Sequence, residues 1–246
     1  MSDMKNKVAI VTGASRGIGA AIAERLGRGG FTIIVNYAGN AALADAVVSK
    51  IEASGGIARA AQADVADPVA VKRMFDAAED AFGGVDVLVN NAGIMTLSPL
   101  ATTEDVDFDK LVSVNLKGTF NTMREAGKRL RNNGRIINFS TTVVGLKLEN
   151  YGVYAATKAA VETLTAIMAK EMRGRNISVN AVAPGPTATD LFLDGKSEEL
   201  VARMAKMSPL ERLGTPKDIA GVVAFLAGPD GAWVNGQILR ANGGII

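Results

Sequence analysis

Short apolar runs alternate with longer helical patterns along almost the whole chain. The runs are Val8–Val11, Phe31–Val35, Ile57–Gln62, Val85–Val89, Arg135–Phe139, Ile177–Val182 and Gln237–Arg240. Each has strand length, and they are dominated by runs of apolar residues rather than strict alternation, Val8–Val11 being apolar at every position. Continuous apolar strands need cover on both faces, and helices inserted between successive strands supply it. The pattern predicts an α/β fold: a doubly wound, Rossmann-like parallel sheet of about seven strands with helices on both faces. The helix boundaries are legible too. Gly17–Arg28 ends at Gly29-Gly30, and Ala41–Ala53 ends at Gly55-Gly56. Asp67-Pro68 opens a helix to Phe82, and Thr215-Pro216 opens another to about Leu226. A helical region over about 104–131 precedes the fifth strand, and a helix carrying Tyr154 runs to about Met172.

At 246 residues, one domain over 1–246 is expected, with no linker or repeat. The longest interruption is about 184–213, with one short helix near Glu198–Lys206. Its part 186–213 is read as a mobile substrate loop. There is no cysteine and no histidine. That excludes disulfides, thiolate metal sites, cysteine nucleophiles and a Ser-His-Asp triad. No carboxylate cluster suggests a metal. The formal net charge is +2, and no basic block marks a nucleic-acid partner. The run Lys128–Arg131 with Arg135 reads as the solvated end of a helix. No apolar run reaches membrane-span length and no apolar leader precedes the first strand, so a cytoplasmic location is expected.

Two stretches carry chemistry. Tyr154 and Lys158 are four residues apart, hence on one face of a helix. An ammonium beside a phenol stabilises the phenolate and would let it exchange a proton nearer neutrality than its usual pH of about 10. Thr12–Gly19 lies between the first strand and the first helix. Glycines at 13, 17 and 19 let backbone approach a pyrophosphate resting on the helix N-terminus.

These join with Asn90-Asn91-Ala92-Gly93, Asn115 in Val-Asn-Leu-Lys-Gly, and Pro184-Gly185. In this order the set resembles the short-chain dehydrogenase/reductase family over nearly the whole chain. The ending, Gly214-Thr-Pro-Lys-Asp-Ile-Ala through Asn242-Gly-Gly, is similar to the branch of 3-oxoacyl-carrier-protein reductases and bacterial glucose dehydrogenases. The resemblance implies a nicotinamide cofactor, carbonyl–alcohol interconversion on a small molecule, and a homotetramer. It also implies roles. Gly13, Ser15, Arg16, Gly17, Ile18 and Gly19 would hold the pyrophosphate end, with Asn36 and Tyr37 at the tip of the second strand. Asp64 and Val65 would flank the adenine, and Asn91, Ala92 and Gly93 the adenine ribose. Pro184, Gly185, Thr187 and Thr189 would face the nicotinamide and phosphates. Tyr154 would carry the proton and Lys158 the nicotinamide ribose. Asn115 would hold a water leading from Lys158 to solvent.

No carboxylate stands at Asn36–Gly39 to select NAD, and Arg16 can pair with a 2′-phosphate, so NADP(H) is the expected cofactor, with NAD(H) use open. In the family a serine stands thirteen residues before the tyrosine; here that position is Thr141. Thr141 is thus expected to orient the substrate oxygen; Ser140 and Thr142 flank it, strand alternation would place those two on the opposite face, and a local bulge would hand the role to Thr142 or, after it, Ser140. The expected activity is an NADP(H)-dependent carbonyl reductase or alcohol dehydrogenase, extending to 3-oxoacyl thioesters. The competing readings are a sugar or polyol dehydrogenase using NAD(P), and a non-catalytic NADP(H)-binding sensor. Leu191, Phe192, Leu193, Met204 and Met207 offer an apolar wall for the substrate or the core of a short lid.

Overall fold

The computed structural model describes Met4 and residues 6–246. Seven parallel strands form one sheet in the order β3-β2-β1-β4-β5-β6-β7. They are β1 (Val8–Val11), β2 (Thr32–Tyr37), β3 (Ile57–Gln62), β4 (Val85–Asn90), β5 (Leu130–Phe139), β6 (Ser178–Pro184) and β7 (Ile238–Ala241). The chain winds outward from β1 to β3, returns to β4 beside β1, and winds out the other way. The crevice between the carboxyl ends of β1 and β4 is the switch point where doubly wound sheets bind ligands.

Strand periodicity divides the core in two. Ala9, Val11, Ile33, Val35, Val87 and Val89 point to one face. There they meet α1 (Gly17–Arg28), α2 (Ala41–Ala53) and α10 (Pro216–Ala227). Val8, Ile10, Ile34 and Leu88 point to the other. There they meet α3 (Pro68–Phe82), α5 (Gly118–Arg129) and α7 (Gly152–Glu171). Central strands are buried throughout, whereas edge strands β3 and β7 alternate with exposed positions. The caps are those the sequence indicates. Asp67 accepts from Val69 N at 2.8 Å, and Gly83 ends α3 at φ +76°. Thr215 and Asp218 form a reciprocal capping box on α10.

Four elements differ from expectation. Strand β2 runs two residues past its apolar run, because Asn36 and Tyr37 continue the ladder with Ala61 and Gln62. The region 104–131 is not one helix. It is α4 (Asp105–Leu111), a π-helical segment Val112–Lys117, and α5. Strand β5 starts at Leu130, with a register shift against β4 between Val85 and Val87. The basic run is only partly solvated: Lys128 stays exposed. Arg129 pairs with Asp76 at 2.7 Å and Glu79 at 2.6 Å, tying α5 to α3, and Arg135 is buried.

Beyond β6 the interruption holds two short helices, α8 (Asp190–Leu193) and α9 (Glu198–Ala205). Its ends meet in a bridge between Thr187 and Gly214, where Ala188 N donates to Gly214 O at 2.8 Å. Between β5 and α7 lies one turn, α6 (Val143–Leu146). No helix among the described residues is long and apolar enough to cross a membrane.

Candidate active site

A cleft of about 630 Å³ opens at the carboxyl ends of the central strands. One end is the glycine loop; the other is the start of α7 under α8 and α9. The loop is held from both sides. Asn36 Oδ1 accepts from Gly13 N at 3.2 Å, and Asn91 Nδ2 donates to Thr12 O at 2.9 Å and Gly13 O at 3.1 Å. Thr12 Oγ1 accepts from Ala92 N at 3.0 Å. Gly13 has φ +61°, and a Cβ there would lie 2.9 Å from Ala92 Cα. A Cβ on Gly19 would lie 2.4 Å from Gly13 O. Glycine is required at both for the loop to close on β4. No side chain caps α1, and its first turn holds no acid. Unpaired N–H groups and the positive dipole end therefore face the cleft beside Ser15, Arg16, Gly17 and Ile18, a cradle suited to a pyrophosphate.

The other expected cofactor residues also border the cleft, several with their side chains already engaged. Asn36 donates to Ala61 O at 3.1 Å and Ala63 O at 3.0 Å, so it shapes the loop and leaves Tyr37 to present a free side chain. Asp64 uses one carboxylate oxygen on Ala66 N at 2.9 Å and stays exposed. Val65 is buried against Gly118. Asn91 is committed to the loop, while Ala92 and Gly93 run along the floor. Pro184 and Gly185 end β6, Thr187 donates to Gly185 O at 2.9 Å, and Thr189 caps α8. No acidic residue lines the cleft over Asn36–Asn40. The described residues contain no group of three or more potential metal ligands.

The π-helical segment places Asn115 at zero exposure. Its Oδ1 accepts from Ile94 N and its Nδ2 donates to Ile94 O, both at 2.9 Å. The residue is thus an anchor for the strand-to-loop exit after β4, next to Gly93 and the Lys158 ammonium. π-Segments inside helices often mark functional sites, and this one turns an amide inward that regular spacing would not.

Three hydroxyls end β5, and their environments separate them. Ser140 Oγ donates to Glu162 Oε1 at 2.5 Å. Thr142 Oγ1 donates to Ala183 O at 3.3 Å. Thr141 Oγ1 accepts from Val143 N at 3.3 Å and faces the Tyr154 phenol. The expected alternation fails because β5 stops at Phe139, so Ser140 and Thr141 both meet α7.

Burial pushes the Tyr154 phenol up to about 12, against the pull of the Thr141 hydroxyl; nearby Tyr151 adds to the rise. Burial likewise pushes Lys158 down to about 8. Lys158 Nζ donates to Phe139 O at 2.9 Å and lies 6.0 Å from the Tyr154 ring centroid. The expected lowering of the phenol by Lys158 is therefore not what this geometry gives: burial dominates both groups, and the ammonium is turned to a carbonyl.

On the substrate side Leu191, Phe192, Met204 and Met207 line the cleft, as the sequence suggested, whereas Leu193 faces a neighbouring depression. Met95, Leu146, Leu148 and Tyr151 were not anticipated and complete the wall. Tyr151 lies edge-on to Tyr154 with ring centroids 6.4 Å apart. Its spacing of three from Tyr154 was the available signal.

The family model described as enoyl-(acyl carrier protein) reductase matches residues 13–246. A short-chain type dehydrogenase/reductase of Picea abies is 48% identical over 248 residues, covering 97% of this chain and 92% of that one. An Arabidopsis thaliana protein named NADPH-dependent aldehyde reductase-like, chloroplastic, is 48% identical over 257 residues, covering 99% and 95%. A short-chain dehydrogenase of Burkholderia cenocepacia, solved in complex with NADP, superposes with TM-score 0.93 at 39% identity, covering 98% of both chains. The chain belongs to the short-chain dehydrogenase/reductase family and is an oxidoreductase.

Proposed function

We propose that the protein is an NADP(H)-dependent reductase of apolar aldehydes and ketones. The observation that carries this reading is the Thr141 hydroxyl set against Tyr154, with Lys158 one turn on, at the apolar end of a cleft whose other end is the glycine cradle. The cofactor, when bound, supplies the hydride from its nicotinamide ring. Tyr154 then donates its phenolic proton to the substrate oxygen as charge develops there. Thr141 holds that oxygen and the phenolate left behind. Lys158, protonated at neutral pH, holds the ribose and restores the proton. A phenol near 12 is fully protonated at pH 7, which favours reduction over alcohol oxidation.

NADP(H) is supported by Arg16 beside the cradle, by the lack of an acid at the β2 tip, and by the names of the two relatives above. The wall of Met95, Leu146, Leu148, Leu191 and Phe192 favours apolar carbonyls, long-chain 3-oxoacyl thioesters among them, over sugars and polyols. A non-catalytic sensor would have no need of a paired phenol and hydroxyl.

The test is NADPH oxidation against simple aldehydes, aryl ketones, acyl thioesters and sugars. Turnover is expected on the first three classes and not on sugars, with kcat/KM higher for NADPH than for NADH. Arg16→Ala should lower the NADPH value by about ten- to a hundredfold and leave NADH nearly unchanged, the loss of a charged phosphate contact. Equal use of the two cofactors by the unaltered protein overturns the assignment.

A homotetramer belongs to this reading. On α7, Leu164 and Met168 pack on the chain's own core and are not free for a subunit contact. The outward apolar residues are Val106, Phe108, Phe120 and Ile167. Light scattering should give about four times the chain mass; a stable monomer removes the assembly from the reading.

A further inference from the structure

Tyr154, Lys158 and Glu162 stand at successive four-residue steps on α7, a single stripe facing the end of β5. Each meets one of three consecutive residues there. Tyr154 takes Thr141, Lys158 Nζ takes the Phe139 carbonyl at 2.9 Å, and Glu162 takes the Ser140 hydroxyl at 2.5 Å. The first two contacts belong to the chemistry already described. The third has no part in it, yet at 2.5 Å it is shorter than the second.

We propose that Glu162 is a positioning residue: by gripping Ser140 it fixes the tip of β5 that presents Thr141 to Tyr154 and the Phe139 carbonyl to Lys158. The proposal rests on the reading of Tyr154 and Thr141 given above. The ladder of β5 ends at Phe139, and beyond it the backbone is held only at alternate residues. Ser140 N donates to Val182 O at 2.8 Å and Thr142 N to Pro184 O at 2.9 Å. Thr141 lies between them, tied only to the turn that follows: its Oγ1 accepts from Val143 N at 3.3 Å and its carbonyl from Val144 N at 3.2 Å, which leaves the hydroxyl proton for the substrate. A hydroxyl-to-carboxylate bond is short and about twice as strong as a neutral one. Ser140 is only 4% exposed, so its hydroxyl needs an acceptor, and Glu162 provides it. The same bond withdraws Ser140 from the substrate. With Thr142 bonded to Ala183, Thr141 is left as the hydroxyl available to the reacting oxygen.

The variants are Ser140→Ala, Glu162→Ala and the near-isosteric Glu162→Gln. The protein has three tyrosines, Tyr37, Tyr151 and Tyr154. In a Tyr37→Phe/Tyr151→Phe background the Tyr154 phenol can therefore be titrated by ultraviolet absorbance without any substrate. Loss of the grip should let Thr141 drift from the phenol. The Tyr154 titration should then move to higher pH in Ser140→Ala and Glu162→Ala, and much less in Glu162→Gln. With a carbonyl substrate, kcat should fall by about ten- to a hundredfold, the scale of a small misplacement. NADPH affinity should stay within about threefold, and the double variant should lose little more than either single one. An unshifted phenol titration and near-normal kcat in both alanine variants overturn the proposal, even if melting temperature drops. If Glu162→Ala fails to fold, Ser140→Ala and Glu162→Gln decide alone. An active Tyr154→Phe variant would instead sink the underlying reading of the site, so the two failures are distinct.

Discussion

Lys158→Met is expected to make the protein more stable and less active at once. The ammonium is 3% exposed, and burial lowers it from an ordinary 10.5 to about 8. A shift of this size corresponds to a penalty on the order of 3 kcal/mol for the charged form. Methionine fills similar volume without the charge but leaves the Phe139 carbonyl without its donor, which costs about 1–3 kcal/mol. A net gain of about 0–2 kcal/mol at pH 7 is expected, or about 2–4 °C of melting temperature per kcal/mol for a chain of this size. The pH dependence is the sharper readout. Below about pH 8 folded and unfolded chains both hold the proton, and the native protein carries the whole penalty. Between about 8 and 10.5 the unfolded chain keeps a proton the folded one has released, so native stability rises with pH. The methionine variant lacks that rise. Urea unfolding of both proteins at pH 7 and 10 should show the variant's advantage shrinking. A pH-independent difference would show that Lys158 is solvated. NADPH affinity should weaken in parallel, since the ammonium that destabilises the fold is the one assigned to the ribose.

Tyr154→Phe should behave in the opposite way. The ring and its packing against Tyr151 remain, so stability and cofactor affinity should stay close to native. Carbonyl reduction should fall by about 10²–10⁴-fold, the usual contribution of a placed proton donor. The loss should appear in kcat, because the substrate wall of Met95, Leu146 and Leu191 is untouched. In the native protein reduction should hold level through neutral pH, decline first above about pH 8 as Lys158 loses the proton it passes on, and again as the phenol, near 12, begins to ionise. A variant that retains a tenth of native kcat would remove Tyr154 from the proton-donor role.

Much of the frame was legible because its signals are local. Asp67-Pro68 and Gly83 bracket α3 by cap and turn chemistry alone, and β1 is apolar from end to end. What escaped depends on partners far along the chain. The extension of β2 exists because β3 lies alongside it, and the early start of β5 because Val85 pairs with Leu130. Arg129 looked solvated since nothing local shows that Asp76 and Glu79 face it across α3. At the site the order of motifs indicated the glycine loop, Thr141, Tyr154 and Lys158. It did not show that Asn36 and Asn91 serve the loop itself, nor that Tyr151 walls the cleft. The choice among three adjacent hydroxyls turned on where a strand stops, which periodicity cannot locate.

The bridge between Thr187 and Gly214 gives the segment it closes a particular standing. Its feet stand side by side, and its only other polar ties among the described residues lie near the second foot, Ser208 to Gly243 O at 2.8 Å and Arg212 to Asp218 of α10 at 2.7 Å, so the stretch carrying the two short helices hangs from fixed points. Helices α8 and α9 can be lengthened, shortened or exchanged, and the mouth of the cleft changes shape while Thr141, Tyr154 and Lys158 keep their places on β5 and α7. Under the reading proposed above, one side of the substrate wall, Leu191, Phe192, Met204 and Met207, is thus written in a passage separate from the hydroxyl and phenol, and that side can be revised without rewriting them.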